Sequence, residues 1–337
     1  MTRRALVIER PGSIALVERE GLVPGPGEVV LRPAYCGLCG TDLELLRGEV
    51  DPDFATYPLT LGHEWSGTVE AVGPGVTGIE PGTRCVAEGI VPCGHCPSCR
   101  AGATNVCDTY DEVGFTREGG AGDQILVPAR IVHVLADGVP LLDAALVEPS
   151  AVVLTGLEKA RPRPGLRVLV VGDGTIALLS VLLAGLWSPS ELLVAGRRAE
   201  QAELALELGA TRFTTDEPAA GAFDLAIEAA GATEAAAAAV RSLTRGGTAL
   251  LLGLAPAGST LELPADTIVN DDLTLTASFG YTSAAWSRVV ALLNAGRFLP
   301  GRLVTHTFGL DQFERAFAEL AKPSGRRGKV MLEVAGG

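Results

Sequence analysis

From residue 165 onward the chain alternates between two patterns, and that alternation decides most of what it can fold into. Short apolar runs, "RVLVVG", "ELLVAG", "FDLAIEAAG" and "TALLLG", each close on glycine, and Ala/Leu/Glu segments of helical period such as "AEQAELALELG" and "TEAAAAAVRSLTRGG" lie between them. Strands alternating with helices predict an α/β domain with a doubly wound parallel sheet and crossover helices on its faces. The alanine run at 235–239 then reads as a helix packed closely on that sheet, not as low complexity.

The first 150 residues follow a different rule. Pieces such as "ALVIE", "GEVVLRPAY", "GTVEAVG", "GTRCVAEG" and "DQILVPA" are short and valine-rich, and PG, GPG and GVTG turns separate them, which predicts a β-rich domain. A chain of 337 residues exceeds what one compact core usually holds, so two domains are expected. Residues 1–150 are assigned to the β-rich domain and 151–285 to the parallel sheet. The helix-like "AAWSRVVALLNAGRF", then "LVTHTF" and "GKVMLEV", are assigned as a return of 286–337 to the first domain.

Charge narrows the partners. A formal net charge of −13 argues against nucleic acid or an anionic membrane as the main partner and favours a small-molecule substrate. The longest apolar run, "IALLSVLLAGLW" at 176–187, is far short of the roughly 20 residues that cross a bilayer. The N-terminus "MTRRALVIERPGSIALVERE" carries charges where an export signal would be apolar, so a cytoplasmic location is expected.

Seven cysteines are present, none beyond Cys107, and their spacing speaks for metal over disulfides. "CGHCPSCRAGATNVC" supplies Cys93, Cys96, Cys99 and Cys107, enough to fill a tetrahedral zinc site and leave no position for substrate. That lobe, about 92–108, is therefore read as structural. An iron–sulfur cluster is the rival, but its usual proline after the fourth cysteine is missing. A second set is looser: Cys39, Thr41 and Asp42 in "YCGLCGTD", His63 and Glu64 in "LGHEWSG". One thiolate, one imidazole and one carboxylate could hold zinc with a position open. Cys36 with Cys39 could instead be a redox pair, although no thioredoxin-like pattern surrounds them.

In "VLVVGDGTIALLS" a strand runs into Gly172, Asp173 and Gly174, then into an apolar helix. Gly172 permits the tight turn, Gly174 lets the backbone approach a pyrophosphate, and Ala177 is small enough for the third position. Thr175 and Ile176 open the helix whose N-terminus would hold that pyrophosphate. The next strand ends in Gly196, Arg197 and Arg198, where an NAD site would place an acid on the ribose. Absence of the acid together with an arginine predicts preference for NADP(H), with Arg197 as the better candidate for the 2′-phosphate.

Taken in order, "CGTD", "GHE", "CGHCPSCRAGATNVC", "EPSAVV" and "VGDGTIA" resemble the zinc-dependent medium-chain dehydrogenases, on the branch with polyol, threonine and archaeal-type glucose dehydrogenases. The resemblance implies a GroES-like β-rich catalytic domain beside a Rossmann cofactor domain, and a homodimer or homotetramer. It implies two Zn2+ per chain. Cys39 and His63 match the fixed catalytic ligands; Glu64 matches a third carboxylate, and Glu148 a glutamate that binds the metal or its water. Thr41 matches the hydroxyl that takes the alcohol proton, and Asp42 the carboxylate that orients a ligand histidine. The chain departs at Glu44, where many relatives have a proton-relaying histidine. The implied activity is hydride transfer between NADP(H) and an alcohol, polyol, sugar or cyclitol. A zinc-free enone or quinone reductase of the same fold, or a non-catalytic zinc-stabilised binding protein, remain as alternatives.

Overall fold

The computed structural model describes residues 2–109 and 111–335. Its contacts define two units: Met1–Glu148 with Thr282–Lys322 and Lys329–Gly337, and Pro149–Tyr281 with Pro323–Gly328. The excursion Pro323–Gly328 lies inside the stretch from 286 onward that the pattern assigned wholly to the first domain. Gln201 fastens it to the second unit, donating from Nε2 to the Arg327 carbonyl (2.7 Å) and accepting the Arg327 amide (2.8 Å).

In the first unit the long strand Glu28–Leu38 is central. It pairs antiparallel with Glu64–Val72 on one side, and on the other with Ile125–Pro128 along its first half and Lys329–Glu333 along its second. The register slips between Pro33 and Tyr35, which accommodates a proline that cannot donate to the ladder. Arg84–Ala87, Val132–Val134 and Val304–Gly309 complete a seven-stranded sheet, and Thr2–Arg10 leads a separate three-stranded one. Leu6, Ile8, Leu31, Leu38, Trp65, Ile125 and Leu332 meet in the core between them. Cys36 belongs to this core; burial pushes its thiol well above the ordinary range, so it is a packing residue and not a redox partner of Cys39.

The second unit holds a six-stranded sheet, parallel at every pairing. Arg212–Thr214, Glu191–Ala195, Arg167–Val171, Phe223–Glu228, Leu243–Leu251 and Thr274–Ala277 stand in that order. The chain therefore starts mid-sheet and winds outward in both directions, the doubly wound arrangement, whose order reverses beside Arg167–Val171. No helix among the described residues is long and apolar enough to cross a membrane.

Candidate functional site

Local chain geometry delivers Cys39. It is the N-cap of the helix Gly40–Arg47, and its amide donates to Asp42 Oδ2 at 2.8 Å, so Asp42 closes the first turn. Cys39 Sγ then lies 3.2 Å from His63 Nε2, and Glu64 Oε1 is 3.8 Å from the same nitrogen. Donor atoms of Cys39, His63 and Glu64 all fall within 4.8 Å of one another. On the far side of the ring, His63 Nδ1 faces Asp42 Oδ1 at 3.7 Å, and both are buried with no hydrogen bond among the described residues. Asp42 thus does two jobs with two oxygens, capping a helix and confronting the imidazole. Burial works against a charge on His63, yet the Cys39 thiolate and Asp42 beside it raise its pKa well above the ordinary value. The cluster draws positive charge, and its one thiolate, one imidazole and one carboxylate suit zinc.

Glu64 has a partner that the sequence did not disclose. Lys329 is 1% exposed and forms an ion pair with Glu64, itself 2% exposed. The two approach from strands on opposite sides of Glu28–Leu38, directly over Gly37, which pairs with Glu64 on one side and Met331 on the other. A Cβ at Gly37 would stand 2.5 Å from Glu64 Oε2 and 2.8 Å from Lys329 Cε. Glycine is therefore required by the ion pair, not by the backbone.

Glu148 lies in the first turn of the helix Val147–Ala160 and outside that donor set. Burial, reinforced by Glu64, pushes its carboxyl up to about 8. Glu112 is a further buried carboxyl that sequence reasoning missed; burial raises it to about 7 while His63 pulls it down. Thr41 is half-buried beside Cys39, and Glu44 is exposed on the same helix. Trp65, next to Glu64 in the chain, is 2% exposed and packed under Gly120, so it serves the core, while Phe279 is exposed.

The four thiols of Cys93, Cys96, Cys99 and Cys107 also converge within 4.8 Å. Cys93 and Cys99 Sγ are 3.9 Å apart, close to the edge of about 3.8 Å that a tetrahedron with Zn–S bonds of about 2.3 Å requires. Amides of Cys96 and Cys99 donate to the sulfurs of Cys93 and Cys96 at 3.3 and 3.4 Å. Those of His95 and Cys96 lower the Cys93 thiol to about 6. The lobe is moored by Thr104, whose hydroxyl accepts the Ser283 amide at 2.8 Å; the Ser283 hydroxyl donates to Glu88, which also holds His133 at 2.9 Å.

In the second unit Gly172 adopts φ +126°, and a Cβ there would press on the Ala229 carbonyl at 3.0 Å. A Cβ on Gly174 would meet nothing within 4 Å, which leaves open space beside the turn. Gly174 caps the helix Thr175–Ala184, whose ladder begins only at the Leu178 amide, so the amides of Thr175, Ile176 and Ala177 are outside it. Turn, space and free amides fit a pyrophosphate. At the end of the neighbouring strand, Arg198 is gripped by Asp173, with Nη2 to Oδ1 at 2.8 Å, whereas Arg197 is exposed and its guanidinium has no partner among the described residues.

Residues 25–137 match the alcohol dehydrogenase GroES-like domain, and 143–322 match the glucose dehydrogenase C-terminus. The L-threonine 3-dehydrogenase of Deinococcus radiodurans is 30% identical across 98% of this chain and 97% of its own. The chain belongs to the zinc-dependent medium-chain dehydrogenases. Solved members share its architecture. A protein of Sinorhizobium meliloti, described as a zinc-binding dehydrogenase and bound to NADP, superposes with a TM-score of 0.92 at 30% identity, covering 99% of both chains. Galactitol-1-phosphate dehydrogenase of Escherichia coli gives 0.86 at 28% identity, covering 98% of this chain and 99% of its own. Within this family the first unit is the GroES-like catalytic domain, the second the Rossmann domain, and the chain is a dehydrogenase.

Proposed function

We propose that this medium-chain dehydrogenase uses NADP(H) to oxidise a polyol, sugar, cyclitol or other secondary alcohol, or to reduce the matching carbonyl. The observation that carries the reading is the free, exposed Arg197 at a strand end that lacks an acid. An arginine there offers a bidentate, charge-assisted contact to a 2′-phosphate, and no carboxylate at 196 repels it.

In the catalytic domain, Cys39 and His63 would hold the catalytic metal with Glu64 or Glu148 as third ligand, and Cys93, Cys96, Cys99 and Cys107 a structural one. Zinc bound there supplies Lewis acidity, which brings an alcohol's pKa toward neutrality, and the nicotinamide supplies the hydride acceptor. The rest falls to the chain itself. Asp42 faces His63 Nδ1 and so keeps Nε2 turned toward Cys39. Lys329 neutralises Glu64 and keeps that carboxylate over Gly37. Thr41, next in the chain but one after Cys39, takes the alcohol proton at its hydroxyl. With Glu44 on the exposed face, the proton would leave Thr41 for solvent. Amides of Thr175 and Ile176 would receive the pyrophosphate, and Gly196 clears the way to Arg197.

The test is to titrate the purified protein with NADPH and NADH by tryptophan quenching and to count zinc on the same sample. Tighter NADPH binding with two zincs per chain supports the reading and justifies a screen of sugars, cyclitols and small polyols. Tighter NADH binding, or a single zinc, overturns the corresponding part.

A further inference from the structure

The feature the proposed function leaves unused is Asp173, the residue between the two glycines of the phosphate turn. Its carboxylate reaches across to the end of the neighbouring strand. Oδ2 accepts the amides of Arg197 and Arg198, both at 2.8 Å; Oδ1 accepts Arg198 Nε at 3.1 Å and Nη2 at 2.8 Å. A carboxylate has about four acceptor positions, and all are taken. Burial opposes its charge, and the Arg198 hydrogen bonds outweigh burial to hold Asp173 below the usual carboxylate range. The space is taken as well. A Cβ at Gly196 would lie 2.7 Å from Asp173 Cβ, 2.9 Å from its Oδ2 and 2.8 Å from Phe213 Cζ.

We propose that Asp173 is a positioning residue for cofactor choice: from the phosphate turn it fills the place at the second strand's end that an NAD-selecting acid would need. Its carboxylate cannot do that acid's work, because no lone pair is left for ribose hydroxyls. It also occupies Arg198 and fixes the backbone amide of Arg197, which leaves the Arg197 guanidinium as the cation facing the 2′-phosphate. Glycine at 196 is on this view not merely the absence of an acid. With Asp173 there, and the tip of the Phe213 ring beside it, any Cβ at 196 is crowded, so a change at 196 calls for a change at 173.

The inference rests on the NADP(H) reading, and a double-mutant cycle separates the two. Wild type, Gly196→Asp, Asp173→Gly and the double variant are titrated with NADPH and with NADH by tryptophan quenching, after thermal melts confirm folding. Wild-type preference for NADPH tests the reading; coupling between the positions tests the inference. Gly196→Asp alone is expected to weaken both cofactors about tenfold or more, and the double variant to regain about tenfold in NADH affinity beyond the product of the single effects. If Gly196→Asp alone delivers tight NADH binding, or the two effects simply multiply, Asp173 does not hold that place. Should the aspartate variants fail to fold, Gly196→Ala answers the same question. Its Cβ alone should disturb binding of both cofactors while Asp173 is present, and should not do so in the Asp173→Gly background, where only the tip of the Phe213 ring still faces it; indifference in both backgrounds, or equal disturbance in both, overturns the inference.

Discussion

The two metal-type clusters of the catalytic domain are built in opposite ways. The four thiols come from fifteen consecutive positions, 93 to 107, and the same loop's amides donate to their sulfurs. The cluster of Cys39, His63 and Glu64 is assembled from a helix start and a strand, and its carboxylate is balanced by Lys329, 265 positions further along. A closed set of thiolates can be local because it needs only a metal to neutralise it. A site that must leave a position open cannot fill its shell with ligands, so it regulates charge with groups outside the donor set: Asp42 behind the imidazole, Lys329 behind the carboxylate. That difference predicts what each side chain does when removed.

The largest effect belongs to Cys39→Ser. With Cys39 as a ligand of the open site, as proposed, its loss should cost turnover at least about a thousandfold, while the protein stays folded with one zinc fewer. Steady-state rates with metal analysis check it, and normal turnover would end the assignment. Lys329→Met comes next and acts on folding. Removing one partner of a buried ion pair leaves an uncompensated charge, a loss of about 3–5 kcal/mol in urea or guanidinium unfolding. The double variant Glu64→Gln, Lys329→Met removes both charges and should recover most of that stability. A single lysine variant as stable as wild type would mean that the pair contributes nothing. Gly37→Ala tests the same pair sterically, and its Cβ would sit 2.5 Å from the Glu64 carboxylate.

The contrast also explains what was legible in the sequence. Strands ending in glycine between helical segments describe the six-stranded sheet because both patterns are local, and Cys93 to Cys107 declare themselves by spacing. Cys39, His63 and Glu64 could be proposed as a set because resemblance supplied their order. Lys329 could not, since in "GKVMLEV" it reads as the charged start of a strand; nothing local says that the strand pairs with Glu28–Leu38. Asp173 was hidden differently. It sits inside a recognised turn, in a position the motif leaves unspecified, and its role appears only when the end of the neighbouring strand is folded against it. The excursion Pro323–Gly328 escaped for a similar reason, since its attachment is polar, through hydrogen bonds to Gln201 and Thr175 and ion pairs of Arg326 with Glu203 and Glu207, and follows no apolar pattern.

Cys96→Ser should act on stability more than on chemistry. It opens the closed site, and the lobe then depends on moorings such as Thr104 to Ser283; a loss of about 2 kcal/mol, seen as a melting temperature lower by several degrees, is expected with one zinc lost. Turnover per folded molecule should stay within about threefold. Intact folding with a slowed chemical step would reverse the roles assigned to the two clusters.

The smallest effect sharpens the comparison at its edge. Glu44 stands where many relatives place a relaying histidine, three positions after Thr41 on the same helix, yet its side chain is exposed and forms no ion pair among the described residues. If the open site reaches solvent directly through Thr41, Glu44 carries only a surface charge, and Glu44→Gln should change kcat less than about twofold and stability less than about 0.5 kcal/mol. Glu44→His supplies the ring found in those relatives and should leave the pH profile of kcat unmoved for the same reason. A tenfold fall in kcat for the glutamine variant, with KM unchanged, would instead make Glu44 the proton's exit. The open site would then draw on three charges outside its donor set, Asp42, Lys329 and Glu44, and the distinction from the self-contained thiolate lobe would be wider still.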